Sequence, residues 1–235
     1  MAEPAWGVYL AIGLSGLGAL GAEVIETKDN WNYTRSILFG YAIPFYHTGL
    51  RATVAANDKL SFAGYLVNGW NNSSEINGDK TVDLSLTWKP NTKVTWIGNY
   101  MFGKETKDSN DVRNLFDTTL TWTPGKLSLM ANFDYGSEGA VKWWGIAAYG
   151  KYQATPNWAV VGRYEYLDDT KGGFMTFGTK AQTVTVTSDH LIARRHPVHV
   201  GVARGLGFGR HGVGGPALHH PAEIELGITD RSHLP

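Results

Sequence analysis

From residue 48 to residue 190 polar and apolar side chains alternate with a period of two, segment after segment. Val82, Leu84, Leu86 and Trp88 alternate with Asp83, Ser85 and Thr87, and the pattern resumes in Val94, Trp96, Tyr100 and Phe102 opposite Thr95 and Asn99. Successive side chains of a strand point to opposite faces, so such a run is a strand with one apolar and one polar face. Nine segments of about 8–11 residues repeat the pattern, and that length crosses a bilayer when the strand is tilted. No amphipathic helix of three turns interrupts them. The fold class predicted is all-β, an antiparallel up-and-down barrel whose apolar face meets either a protein core or lipid.

Connections and aromatics separate those two cases. Tight turns are expected at Ala56–Lys59, Lys89–Thr92, Thr123–Lys126 and Ala154–Asn157, where Asn, Asp, Pro and Gly favour reversal. Longer polar loops are expected between them, at Asn68–Lys80, Gly103–Asn114, Gly136–Lys142 and Asp168–Lys180. Short turns at one rim and long loops at the other characterise outer-membrane barrels. The chain holds nine Trp and eleven Tyr. Trp88, Trp96, Trp122, Tyr152 and Trp158 fall beside short turns, while Phe102, Phe133, Tyr135, Tyr164 and Tyr166 fall towards the long loops. Two such belts match the two membrane interfaces. A mean hydropathy of −0.22 excludes a polytopic helical membrane protein but not a barrel, in which half of each strand is polar.

In this register Arg51, Asp83, Asp117, Asp134, Lys151, Arg163 and Glu165 face inward as pore-lining candidates. Rings of charge in a lumen select solutes by sign, and the presence of both signs predicts no strong ion selectivity. Ile97 and Met101 also point inward and mark a plug, a bulge or a subunit contact. Asn30–Pro44 lacks clean alternation. It is either an inward constriction, with Arg35 as an eyelet charge, or a strand followed by a long loop.

Two stretches resemble the OmpL-like β-barrel porins of Gram-negative outer membranes: "NWNYTRSILFGYAIPFYHTGLRATVAANDKLSFAGYLVNGWN" (Asn30–Asn71) and "WAVVGRYEYLDDTKGGFMTFGTKAQTVTVTSDHLI" (Trp158–Ile192). The most specific parts are Asn32–Ser36 and Pro44–Gly49, and the resemblance spans about residues 20–192. It implies an outer-membrane pore for passive diffusion of small hydrophilic solutes, with no catalysis and no cofactor. Partners implied are outer-membrane lipid, the solutes and, where barrels associate as a homo-oligomer, further copies of the chain.

The ends depart from that pattern. Residues 1–19 form an atypical Gly-rich start, uncharged from Pro4 onward, read as a Gly-rich strand or a mis-started frame. Residues 20–193 form the barrel region. Residues 194–235 read as a low-complexity His/Arg/Gly/Pro tail of the kind a shifted reading frame produces. An odd count of nine strands implies an incomplete barrel, and the chain as it stands is expected not to insert and conduct.

Other functions fit less well. A formal net charge of zero argues against a nucleic-acid partner, and the absence of cysteine excludes thiolate metal sites and disulfides. His196, His199, His211, His219 and His220 lie in a segment with no evident scaffold for a metal. Two alternatives stay open: a soluble lipocalin-like barrel that binds an apolar ligand, and an outer-membrane barrel lipase with His47 as base. No G-x-S-x-G elbow supports the second, so no catalytic residue is assigned.

Overall fold

The structure, a computed structural model, describes residues 7–15, 30–171, 180–193, 198–210 and 223–230. Twelve strands pair in chain order into one sheet, each antiparallel to its neighbour. β1 is Gly7–Ser15, β2 His47–Asn57, β3 Leu60–Val67 and β4 Thr81–Asn91. β5 is Val94–Gly103, β6 Arg113–Trp122, β7 Leu127–Glu138 and β8 Val141–Thr155. β9 is Trp158–Lys171, β10 Lys180–Ala193, β11 Val198–Arg210 and β12 Glu223–Asp230. Among the described residues β1 and β12 do not pair, and the sheet stays open there.

β2 to β10 are the nine strands that the alternation predicts. The three further strands have a simple cause. In the sequence of β1 no polar residue other than the Tyr9 phenol interrupts Val8–Leu14, and in β11 glycine stands at 201, 205, 207 and 209, so neither shows a clear polar/apolar alternation, although the backbone still pairs over nine and thirteen residues. β12 alternates Ile224, Leu226 and Ile228, a pattern too short to stand out from its surroundings. β11 and β12 fall inside the segment whose composition reads as a tail. Much of that segment, with His196, His211, His219 and His220, lies outside the described residues, as do residues 172–179 of one expected loop.

The turn rhythm holds with one correction. The loop expected over Gly136–Lys142 is a two-residue hairpin at Gly139-Ala140. Gly139 takes φ +56°, the left-handed conformation that tight hairpins require. Pairing therefore extends to Glu138 opposite Val141.

The face assignment follows the sequence. Leu50, Phe62, Leu84, Leu120, Ile146 and Val186 are exposed on the outer face. Tyr65, Asp83, Met101, Leu115, Asn132 and Val161 are buried on the inner one. The inner face is covered by the segment that follows Asn30, which contains the helix α1 (Ile37–Tyr41). Five residues do not form a stable helix alone in water. Ser36 caps α1, its hydroxyl accepting from the Phe39 N–H at 2.9 Å, and the strand wall supplies the rest. Leu38, Ala42 and Ile43 pack with Met101, Leu115 and Trp143 in the main apolar cluster. Met101 is buried on the inner face in the same cluster as this segment, which accords with the first of the three readings its position allows.

Candidate pore lining

The inward segment is tied to the wall residue by residue. Asn32 Nδ2 donates to Thr187 Oγ1 at 2.9 Å, and the Tyr33 hydroxyl donates to Asp189 Oδ1 at 2.9 Å. Arg163 reaches across from β9, donating from Nη1 to the Thr34 carbonyl at 2.8 Å and from Nη2 to the Arg35 carbonyl at 3.1 Å. Glu165 accepts from the Ile37 N–H at 2.7 Å and from the Thr183 hydroxyl at 2.6 Å, while Arg163 Nε lies 2.9 Å from its Oε2. The Trp143 indole donates to the Ala42 carbonyl at 3.0 Å.

The inward candidates consequently divide. Arg163 and Glu165 face inward, but they are buried under residues 34–37 and serve as anchors for them. Arg35 is exposed, with its guanidinium 4.1 Å above the Phe39 ring. Arg51 is half-buried, donates to Thr53 Oγ1 at 3.1 Å and lies over the Tyr65 ring. It lines a cavity of about 140 Å³ together with Thr53, Ser61, Ser85, Thr87 and Asn99. Lys151 is half-buried on β8. Asp83, Asp117 and Asp134 are buried on β4, β6 and β7 of the same wall. Around Asp117 stand two amides, with Asn99 Nδ2 and Asn132 Nδ2 each donating to it at 2.7 Å.

Some of these partners are hidden in the sequence. Trp143 could have been found, because Trp144 and Ile146 point outward and strict alternation then sends Trp143 in. Asn32, Tyr33 and Thr187 carry no pattern that links residues 155 positions apart, as in the Asn32–Thr187 bond. His47 is buried at the start of β2, with its Nδ1 3.1 Å from the Gly69 carbonyl. Such a histidine holds a loop base and is poorly placed to take a proton from a substrate at a rim.

Most of the aromatic residues assigned to belts lie exposed on the outer face. Trp88, Trp122, Tyr152 and Trp158 are exposed next to short turns, and Phe102, Tyr135 and Tyr164 are exposed on the same face. Trp96 pairs with Trp88 across the β4–β5 hairpin and is half-buried. Tyr166 is half-buried against Trp144, with ring centroids 5.0 Å apart. A soluble barrel would place such side chains inside. Here the outside is apolar, and the wall around Asp83, Asn99 and Asp117 is polar.

An antiparallel up-and-down sheet with an apolar exterior and a polar, partly plugged interior defines the transmembrane barrel class of outer-membrane channels. The fold is similar to that of the outer membrane channel DcaP of Acinetobacter baumannii. The TM-score is 0.59 at 10% identity, covering 92% of this chain and 68% of that one. Comparison with curated proteins returned no match. The family described as "Putative beta-barrel porin-2, OmpL-like" matches residues 17–195, and the chain belongs to it. It is an outer-membrane porin, embedded in lipid, with solute passing through its lumen.

Proposed function

We propose that the chain is a non-enzymatic channel for passive diffusion of small hydrophilic solutes, narrowed by the segment from Asn30 to Pro44. The observation that carries this reading is the set of bonds that Arg163, Glu165 and Trp143 make to that segment. A segment anchored to the wall at several points restricts a lumen continuously, whereas a loop lying outside would not. Arg35 is then the charge at the eyelet, since it is the one cation of this segment and is exposed. Asp83, Asp117, Asp134, Arg51 and Lys151 set the field along the wall. The aromatic residues beside the turns fix the depth of the barrel in the bilayer.

Liposome swelling with sugars of increasing size tests the constriction. Deleting residues 30–44 should admit larger sugars than the parent chain does. An unchanged size limit would show that the segment does not set the passage, and swelling in neither case would oppose diffusion through this lumen.

A further inference from the structure

We infer that the short-turn rim of the barrel binds the head groups of anionic phospholipids through Lys59, Lys89, Lys93 and Lys126. The inference rests on the reading of Trp88, Trp122 and Tyr152 as a belt at the lipid interface, and it is independent of what passes through the lumen.

The four short turns repeat one backbone arrangement. In each, the carbonyl of the last turn residue accepts an N–H from the end of the next strand. Lys59 accepts from Lys89 at 2.7 Å, Lys93 from Thr123 at 2.8 Å, Lys126 from Gln153 at 2.8 Å and Asn157 from Leu191 at 2.9 Å. In three of the four turns this residue is lysine. The residue that follows each lysine pairs with an outward aromatic: Leu60 with Trp88, Val94 with Trp122 and Leu127 with Tyr152. The rim therefore sets a lysine beside an aromatic ring three times over. The interval is two strands, or roughly 10 Å across the sheet. Lys89 adds a fourth charge next to Lys59.

All four lysines are exposed, and none of their ammonium groups has an ion pair or a hydrogen bond among the described residues. Asp58 is the one carboxylate in these four turns, and it too makes no ion pair among the described residues. The opposite rim differs: Lys80 pairs with Glu75, Lys104 with Asp79 and Lys180 with Asp168. Positive charge is thus matched within the protein at the long loops and left unmatched at the short turns. Uncompensated lysines at a lipid surface attract anionic head groups. Their alkyl stems lie along apolar surface while the ammonium stays in water, at the depth that the neighbouring Trp and Tyr side chains prefer. A zwitterionic head group brings its own cation and gains less. A free anion has no acyl chains to lie against the apolar exterior, so a phospholipid fits both the charge and the grease beside it.

Reconstitution of the full chain in phosphatidylcholine with a fraction of brominated lipid is the test, and tryptophan quenching is the readout. One lysine near a head group is worth about fivefold, so brominated phosphatidylglycerol should be preferred over brominated phosphatidylcholine by at least about twofold when averaged around the barrel. Lys59→Gln/Lys89→Gln/Lys93→Gln/Lys126→Gln should be quenched equally by both lipids. Lys59→Arg/Lys89→Arg/Lys93→Arg/Lys126→Arg should keep the preference, as should Lys80→Gln/Lys104→Gln in the long loops. A preference that survives in the glutamine variant, or is lost in the long-loop variant instead, overturns the inference. Should the fourfold variant fail to fold into vesicles, Lys59→Gln/Lys93→Gln must lower the preference by itself. Loss of the preference when inorganic phosphate is added at constant ionic strength assigns the row to a free anion and likewise overturns the lipid. Quenching by neither lipid counts against the belt. Strong and equal quenching of the parent by both leaves the belt standing and counts against the lysine row. Conductance does not enter, so a chain that never conducts gives the same decision.

Discussion

Glu165 Oε1 accepts the backbone N–H of Ile37 at 2.7 Å, so a carboxylate of the barrel wall closes the first turn of the helix that lies inside it. The negative charge sits where exposed backbone N–H groups favour it. Arg163 completes the anchor from two positions earlier on the same strand, and both side chains are almost fully buried. Removing one partner of a buried ion pair leaves the other uncompensated and costs about 3–5 kcal/mol. Arg163→Met should therefore lower the urea midpoint of the refolded protein substantially. Arg163→Met combined with Glu165→Leu should recover much of the loss, since no charge is then stranded. Equal midpoints for the parent and Arg163→Met would contradict the anchor.

Adjacent residues of β4 give a test of which side meets lipid. Leu84 is 51% exposed on the outer face, and Ser85 lines the inner cavity. Arginine on a lipid-facing strand position costs about 2–4 kcal/mol near the bilayer midplane and far less in a polar lumen. Leu84→Arg should thus impair folding into vesicles strongly, and Ser85→Arg weakly. A soluble barrel would give the reverse order, because there Leu84 would face water. The measurement is the folded fraction in lipid as urea is raised.

Strand positions and faces were legible because they depend on neighbours two residues apart. Leu84 out and Asp83 in follow from alternation alone, and the structure repeats that parity from β2 to β10. What a face meets is a different matter. Met101 and Ile97 fit a plug, a bulge or a subunit contact equally well in the sequence, and only the fold shows that Met101 shares one apolar cluster with Leu38, Ala42 and Ile43 of the inward segment. Arg163 and Glu165 are inward by parity, yet nothing local says that residues some 130 positions earlier cover them. The hairpin at Gly139 was hidden because Gly136–Lys142 is polar and small, a composition shared by long loops and by extended pairing. The alternation is missing from β1 because Val8–Leu14 is a nearly continuous apolar run, and from β11 because its glycines at 201, 205, 207 and 209 mark no face.

The loop between β3 and β4 offers a pH readout outside the membrane. Lys80 Nζ donates to Glu75 Oε2, and this bond holds the Glu75 carboxyl below the usual glutamate value of 4.5. Burial pushes the other way but more weakly. Because the folded value lies below the unfolded one, the contribution to stability is fully present above the unfolded pKa. It is lost as pH falls through the folded pKa. The pair is accessible to water, so the effect should shrink in high salt. NMR titration should place Glu75 below 4.5 in the parent and nearer that value in Lys80→Met. Identical titrations in the two proteins would rule out the contact.

Gly136 on β7 faces Trp143 on β8, and a side-chain carbon placed on Gly136 would lie 2.0 Å from the indole ring. The ring lies across the glycine and points its N–H at the Ala42 carbonyl, joining the strand pair to the inward segment. Gly136→Ala must therefore displace the indole. Overpacking of this kind costs about 1–3 kcal/mol, and losing the buried hydrogen bond adds about 1–3 kcal/mol. The tryptophan emission of the variant should shift to the red as Trp143 leaves its buried position, and the urea midpoint should fall. Trp143→Leu should remove most of the penalty of Gly136→Ala, because the smaller side chain leaves room for the methyl group. The double-mutant cycle should then show coupling of about 0.5–3 kcal/mol, the range for residues in direct contact. Strictly additive effects would mean that the two residues do not touch.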